Sequence, residues 1–227
     1  MVAENIAHFN DQKSYRLINS KFPPIDLFDD VASAEEFELL YEIQARTNPR
    51  IQNEVGDLNL ISPEENPFGI AGYSYATASF THVNPAGSRF SDGSFGALYM
   101  ADTVETAIAE TRYHQALYFS QVEGLAYDVI TMRGLACYFD GALINISHNN
   151  DGTLYHPRDY TAAQTLGGKL KAQGKEGLQY NSVRREGAIC WVLFTPKKVK
   201  KIEQIAQFEF IWDGKNIAKV EKVSKIF

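Results

Sequence analysis

An α+β fold is predicted for these 227 residues, and three observations predict it. Strand-like segments outnumber helical ones, they gather after position 75, and they do not alternate strictly with helices as a parallel sheet requires. Apolar residues at 44% and charged residues at 22% are ordinary globular usage, so the chain can bury a sizeable core.

The chain opens on a segment around Tyr15-Arg16-Leu17-Ile18, followed by Phe22-Pro23-Pro24. Ser33 with Glu36 three residues on is a capping box, which predicts a helix over 33–45. Phe37, Leu40, Tyr41 and Ile43 give that helix an apolar stripe, and Thr47-Asn48-Pro49-Arg50 ends it. Residues 51–75 hold Pro63, Pro67 and three glycines, a pattern for a long binding loop or short helical pieces. A short strand is predicted over 78–82, then a glycine-rich loop, then a strand over 96–101. Asp102 with Glu105 is a second capping signature and opens the helix that carries Glu110.

Beyond that helix, short strands are predicted over 124–130, 135–139 and 143–146, and Asn149-Asn150-Asp151-Gly152 reads as a turn. A helix over 160–172 closes on Gly174 in a left-handed cap, although Gly167-Gly168 weakens it. Strands over 177–183 and 188–195 follow. Phe208, Phe210 and Trp212 alternate onto one face before Asp213-Gly214, and 217–223 returns as the second arm of a hairpin. Residues 1–75 thus form an N-terminal extension, one helix and a long loop, packed on a core of 76–227 within a single compact domain.

The net charge of −6 argues against a nucleic-acid surface, which needs excess Lys and Arg to displace counterions. The basic run Lys197-Lys198-Val199-Lys200-Lys201 reads as a solvated connection. Cys137 and Cys190 have no C-x-x-C spacing, and the histidines at 8, 82, 114, 148 and 156 match no zinc pattern, so no metal is expected. No stretch approaches membrane-spanning length and no basic, apolar leader opens the chain, so a cytoplasmic protein is expected.

Chemistry concentrates between positions 87 and 111. Arg89 lies in Gly87-Ser88-Arg89-x-x-x-Gly93, where glycines permit close backbone approach and the guanidinium offers a planar fork for phosphate oxygens. An arginine paired with a carboxylate on a loop fits the same residues. Glu110 sits among small and apolar residues near the stripe of Val104, Ala107, Ile108 and Thr111; it is either a site carboxylate or a flank glutamate with a wet head. His114, one turn later, either bonds to it or continues the flank. Tyr99 is either a core tyrosine or a face on which a ring stacks. Ser182 lacks a G-x-S-x-G context, so it reads as a hydrogen-bond donor or a strand cap rather than a nucleophile. A cation, an aromatic face and a carboxylate brought together suit a phosphate-bearing, glycosidic substrate.

Taken in order, Tyr15-Arg16, Thr47-Asn48-Pro49-Arg50, Gly87-Ser88-Arg89-Phe90-Ser91-Asp92-Gly93, Tyr99, Thr106-Ala107-x-Ala109-Glu110 and Tyr180-x-Ser182-Val183-Arg184 resemble the RES domain family over roughly 15–196. The resemblance implies an ADP-ribosyltransferase-like fold of mixed, mainly antiparallel sheets with flanking helices. It implies a bacterial toxin of a toxin-antitoxin pair that degrades NAD+ as a glycohydrolase or phosphorylase, with a helix-turn-helix antitoxin as partner. NAD+ is then the substrate, and no cofactor is implied. Arg89, Tyr99 and Glu110 match the family's catalytic positions, and Ser182 and Arg16 are carried over as substrate-binding residues. ADP-ribosyl transfer to a protein is the alternative, and an inactive nucleotide- or partner-binding module is the second. The order Arg, Tyr, Glu, Ser and the lack of E-x-E or Q-x-E at Glu110 depart from the cholera-toxin-like transferases, which lessens the support for arginine modification.

Overall fold

The computed structural model describes residues 5–21, 33–47, 56–149 and 151–224. Phe22-Pro23-Pro24, Asn48-Pro49-Arg50, the first five positions of the 51–75 loop and Asn150 lie outside them. The strands are β1 Ile6–Asn19, β2 Leu98–Ala101, β3 Asp128–Asn145, β4 Gly177–Asn181, β5 Ile189–Leu193, β6 Val199–Trp212 and β7 Ile217–Lys222. The helices are α1 Ala34–Thr47, α2 Tyr73–Thr81, α3 Val104–Phe119 and α4 Thr161–Ala172. The class is α+β, with a mainly antiparallel sheet and helices around it.

One seven-stranded sheet runs in the order β1-β2-β5-β4-β3-β6-β7. Because β1 also pairs with β3, from Ile6↔Ile144 to Asn19↔Met132, the strands β1, β2, β5, β4 and β3 close into a ring, and β6 and β7 extend from β3. Among the described strands only β3 with β4 is parallel. Of the residues before position 76, Ile6–Asn19 thus form a strand of the sheet, and a boundary at 75/76 runs through α2.

Alternation along the strands builds two cores. Leu98, Met100, Leu135, Cys137, Phe139, Trp191 and Leu193 face one, which α2 covers with Ala76 and Phe80. Ala101, Met132, Cys190, Val192, Phe208, Phe210 and Trp212 face the other, under α3 and α4 with Ala107, Ala163 and Leu170. Phe208, Phe210 and Trp212 share a face as their alternation predicts. Helix α1 starts as its capping box predicts, with the Glu36 amide donating to Ser33 Oγ at 3.2 Å. It docks through Phe37, whose ring lies 5.8 Å from those of Phe68 and Tyr73.

Three local expectations are corrected. The strand predicted over 78–82 falls in α2 and the residue capping it, because Tyr73, Ala76, Thr77, Phe80 and Thr81 are buried at helical spacing. The three short strands of 124–146 are the single 18-residue β3. Gly134 interrupts the apolar pattern without breaking the strand: a Cβ there would meet Phe208 Cε2 at 2.8 Å, and the register against β6 shifts at that point. Helix α3 is capped by Thr103, whose Oγ1 accepts from the Thr106 amide at 3.2 Å; Asp102 instead accepts from the Ile189 amide at 2.9 Å. The basic run is drawn into surface ion pairs, Lys198 with Glu176 at 2.7 Å and Lys201 with Glu203 at 2.8 Å.

Candidate active site

Strands β1 and β2 meet at one register position, Tyr15↔Ala101. A cleft of about 510 Å³ is lined by both strands around that pairing, by the 84–97 loop and by α3. Arg16, Arg89, Tyr99, Glu110 and His114 all contribute to its wall. Four of the five site residues named from sequence therefore converge directly.

Arg89 sits at the tip of a tightly closed loop. The Gly87 amide donates to Asn84 O at 2.8 Å and the Ser88 amide to Ser91 O at 2.7 Å, a turn that puts Gly87 at φ +77°. The Tyr99 hydroxyl lies 2.8 Å from Ser88 Oγ and accepts from the Phe90 amide at 2.9 Å. Gln164 of α4 donates from Nε2 to Ser88 O at 3.0 Å and to Ser91 O at 3.3 Å. The Phe90 ring is buried edge-on against Tyr180, 4.8 Å between centroids. Tyr99, Gln164 and Phe90 thus fix the backbone on both sides of Arg89.

Arg89 as a residue is buried, 8% exposed. Its Nη1 donates to Leu154 O and His156 O, each at 3.2 Å, and its Cζ lies over the Tyr160 ring, 4.5 Å from the ring centre. Among the described residues it has no carboxylate partner, which removes the loop-ion-pair alternative there. Arg16, on β1, donates from Nη1 to Tyr99 O at 2.8 Å, and its burial lowers its pKa.

Glu110 projects from α3 and accepts from Ser182 Oγ at 2.6 Å. Ser182 also accepts from the amides of Arg184 and Arg185 at 3.1 and 3.0 Å, so its single proton is directed at the carboxylate. Ser182 stands behind Glu110 and not on the cleft wall. His114 shares the wall one turn on; the covered side of its ring lowers its pKa, Glu110 opposes this, and Arg184 and Arg89 add to it. Cys190 lines the cleft as a protonated thiol, since burial and the carboxylates of Glu110 and Asp102 all push it upward. Burial likewise raises Tyr99 to about 12, so its hydroxyl keeps its proton. Among the described residues no cluster of three His, Cys, Asp or Glu side chains is placed to hold a metal, and no helix is long and apolar enough to cross a membrane.

Sequence patterns do not reveal Tyr160, His156 and Gln164. They are between 67 and 76 positions from the groups they hold, and no local motif marks them.

A model of the RES domain matches residues 66–213, which contain Arg89, Tyr99, Glu110 and Ser182. The chain belongs to the RES domain family. Arg16 lies outside the matched stretch, yet β1 carries it into the same cleft as the RES residues. The uncharacterized protein y4oC of Sinorhizobium fredii is 30% identical over 206 residues, covering 90% of this chain and 84% of that protein. Among solved structures, the M. tuberculosis MbcT-MbcA toxin-antitoxin complex aligns with 53% of this chain and 73% of its own, at 14% identity and a TM-score of 0.39.

Proposed function

We propose that this RES protein cleaves the bond between nicotinamide and ribose in NAD+, passing the ADP-ribosyl group to water or phosphate. The supporting observation is one cleft shared by the Glu110 carboxylate and an Arg89 guanidinium that has no carboxylate partner among the described residues. Departure of nicotinamide leaves oxocarbenium-like positive charge on the ribose, and a carboxylate beside the anomeric carbon lowers that barrier. Glu110 has this task, with Ser182 fixing one of its oxygens. Arg89 takes the pyrophosphate, and Arg16 adds a second cation to the same wall. The Tyr99 hydroxyl is engaged with Ser88 and Phe90, so we assign Tyr99 to holding the Arg89 loop as well as to the wall.

Membership of the RES family carries the further proposal that the chain is the toxin of a toxin-antitoxin pair, with a helix-turn-helix antitoxin. Purified protein incubated with NAD+, with and without phosphate, should release nicotinamide together with ADP-ribose or its 1-phosphate, and Glu110→Ala should not. Induction in bacteria should lower NAD+ and arrest growth, and the antitoxin should relieve the arrest. Constant NAD+ together with an ADP-ribosyl mark on one protein would overturn the proposal in favour of protein transfer.

A further inference from the structure

His156 caps a turn in the loop before α4. His156 Nδ1 accepts from the Asp159 amide at 2.7 Å and from the Arg158 amide at 3.2 Å. Nδ1 is thus the acceptor that both amides of this turn share. The arrangement reproduces an Asx turn, with a ring nitrogen where asparagine has Oδ1. Asp159 repeats the device one step on, accepting from the Thr161 amide at 3.0 Å, and α4 begins there.

This turn and the residues on either side of it face Arg89. The carbonyls of Leu154 and His156 receive its Nη1, and the Tyr160 ring lies under its guanidinium. The Pro157 carbonyl, inside the turn, receives the Tyr113 hydroxyl at 3.3 Å and the Arg184 Nη2, pinning the loop to α3 and to the β4–β5 connection. Two carbonyls and an aromatic face hold a guanidinium only while the turn keeps its shape. His156 is exposed, and its side-chain bonds reach only the Arg158 and Asp159 amides, so the imidazole's contribution passes through that shape.

We infer that His156 is a positioning residue that sets the anion-binding orientation of Arg89 by capping the turn that joins the Leu154 and His156 carbonyls to the Tyr160 ring, the three groups that hold its guanidinium. The inference rests on Arg89 as the anion-binding group of the proposed function, and not on cleavage of NAD+.

The test compares wild type with His156→Ala, His156→Asn and Arg89→Ala, using inorganic pyrophosphate as the probe in titration calorimetry and amide exchange of the peptide spanning 154–160. Asparagine restores the acceptor and alanine does not. His156→Ala should bind pyrophosphate about tenfold more weakly, the effect of one lost hydrogen-bonded support, and should exchange faster in that peptide. His156→Asn should return both readouts to within about threefold of wild type, because its Oδ1 takes the same two amides. Arg89→Ala should abolish pyrophosphate binding and leave the exchange of the Arg158 and Asp159 amides protected. Unchanged affinity in His156→Ala, failure of asparagine to rescue, or absence of pyrophosphate binding in wild type would each overturn the inference. Wild type that binds pyrophosphate and leaves NAD+ intact would retire the NAD+ proposal and leave this one standing.

Discussion

Ser182 and Glu110 are joined by a 2.6 Å hydrogen bond in which the serine is the donor, across 72 positions of sequence. Two backbone amides point at the same Oγ, so the serine has no freedom to turn its proton elsewhere. A hydroxyl locked in this way fixes the rotamer of a carboxylate on the cleft wall.

Ser182→Ala should therefore act on turnover more than on binding. It removes one hydrogen bond to a charged acceptor, and kcat for NAD+ should fall roughly tenfold with KM within about threefold. Steady-state kinetics check this. A rise in KM with kcat intact would return Ser182 to direct substrate contact.

Arg89→Lys should behave as a loss and not as a conservative change. An ammonium can replace one donor, but it cannot reach the Leu154 and His156 carbonyls, lie flat on Tyr160 and also present a fork to a diphosphate. KM for NAD+ should rise at least about tenfold, and the weaker Tyr160→Leu effect should fall in the same direction. Kinetics of both variants, with melting temperatures to confirm folding, decide it.

That Arg16, Arg89, Tyr99 and Glu110 share one cleft was legible through the family resemblance, because local chemistry alone left Arg89, Tyr99 and Glu110 each with a purely structural alternative. Ser182 was legible as a donor and not as a partner of Glu110, since the pairing depends on where the turn after β4 meets α3. The errors have one physical source. Thr77, Phe80 and Thr81 favour strands locally, yet tertiary burial of the Tyr73-Ala76-Phe80 face made them helical. Gly134 reads as a break because propensity cannot see the Phe208 ring lying over it. Asp102 matches a cap, but the Ile189 amide from β5 claims it and Thr103 takes the cap. β1 reads as an extension because strand pairing with β3 is set more than a hundred positions away.

Tyr99→Phe removes an acceptor for the Phe90 amide and a partner for Ser88 Oγ, at a cost of about 1–3 kcal/mol for a donor left unpaired. The cost should depend on pH with a defined sign. The folded protein holds the Tyr99 proton up to about 12 against an ordinary value of 10.0, so the hydroxyl's stabilisation is whole below pH 10 and is lost as pH rises toward 12. Cys137, pushed by burial to about 12 from 9.0, adds to the same alkaline loss in both proteins. Urea unfolding at pH 7 and above pH 10 should show the gap between wild type and Tyr99→Phe narrowing with pH. A gap that widens in alkali would mean that the hydroxyl is not held as a proton-bearing group.

Gly167 and Gly168 are neighbours in α4 that face opposite environments, and the pair gives a controlled test of how the Arg89 loop is seated. A Cβ at Gly167 would lie 2.0 Å from Phe90 O, a backbone atom next to Arg89, whereas one at Gly168 meets nothing within 4 Å. Gly168→Ala should stabilise the protein by up to about 1 kcal/mol through helix propensity, with NAD+ kinetics unchanged. Gly167→Ala gains the same propensity but must push the loop away from the helix, so the net effect should be a loss of about 1–3 kcal/mol. Since the displaced strand of backbone holds Phe90 and Arg89 together, the same substitution should also raise KM, coupling stability and binding in one variant and in neither for its neighbour. Denaturant midpoints with kinetics on both proteins make the comparison. Equal behaviour of the two alanines would show that the loop yields freely, and that its tight seating on α4 does not set the position of Arg89.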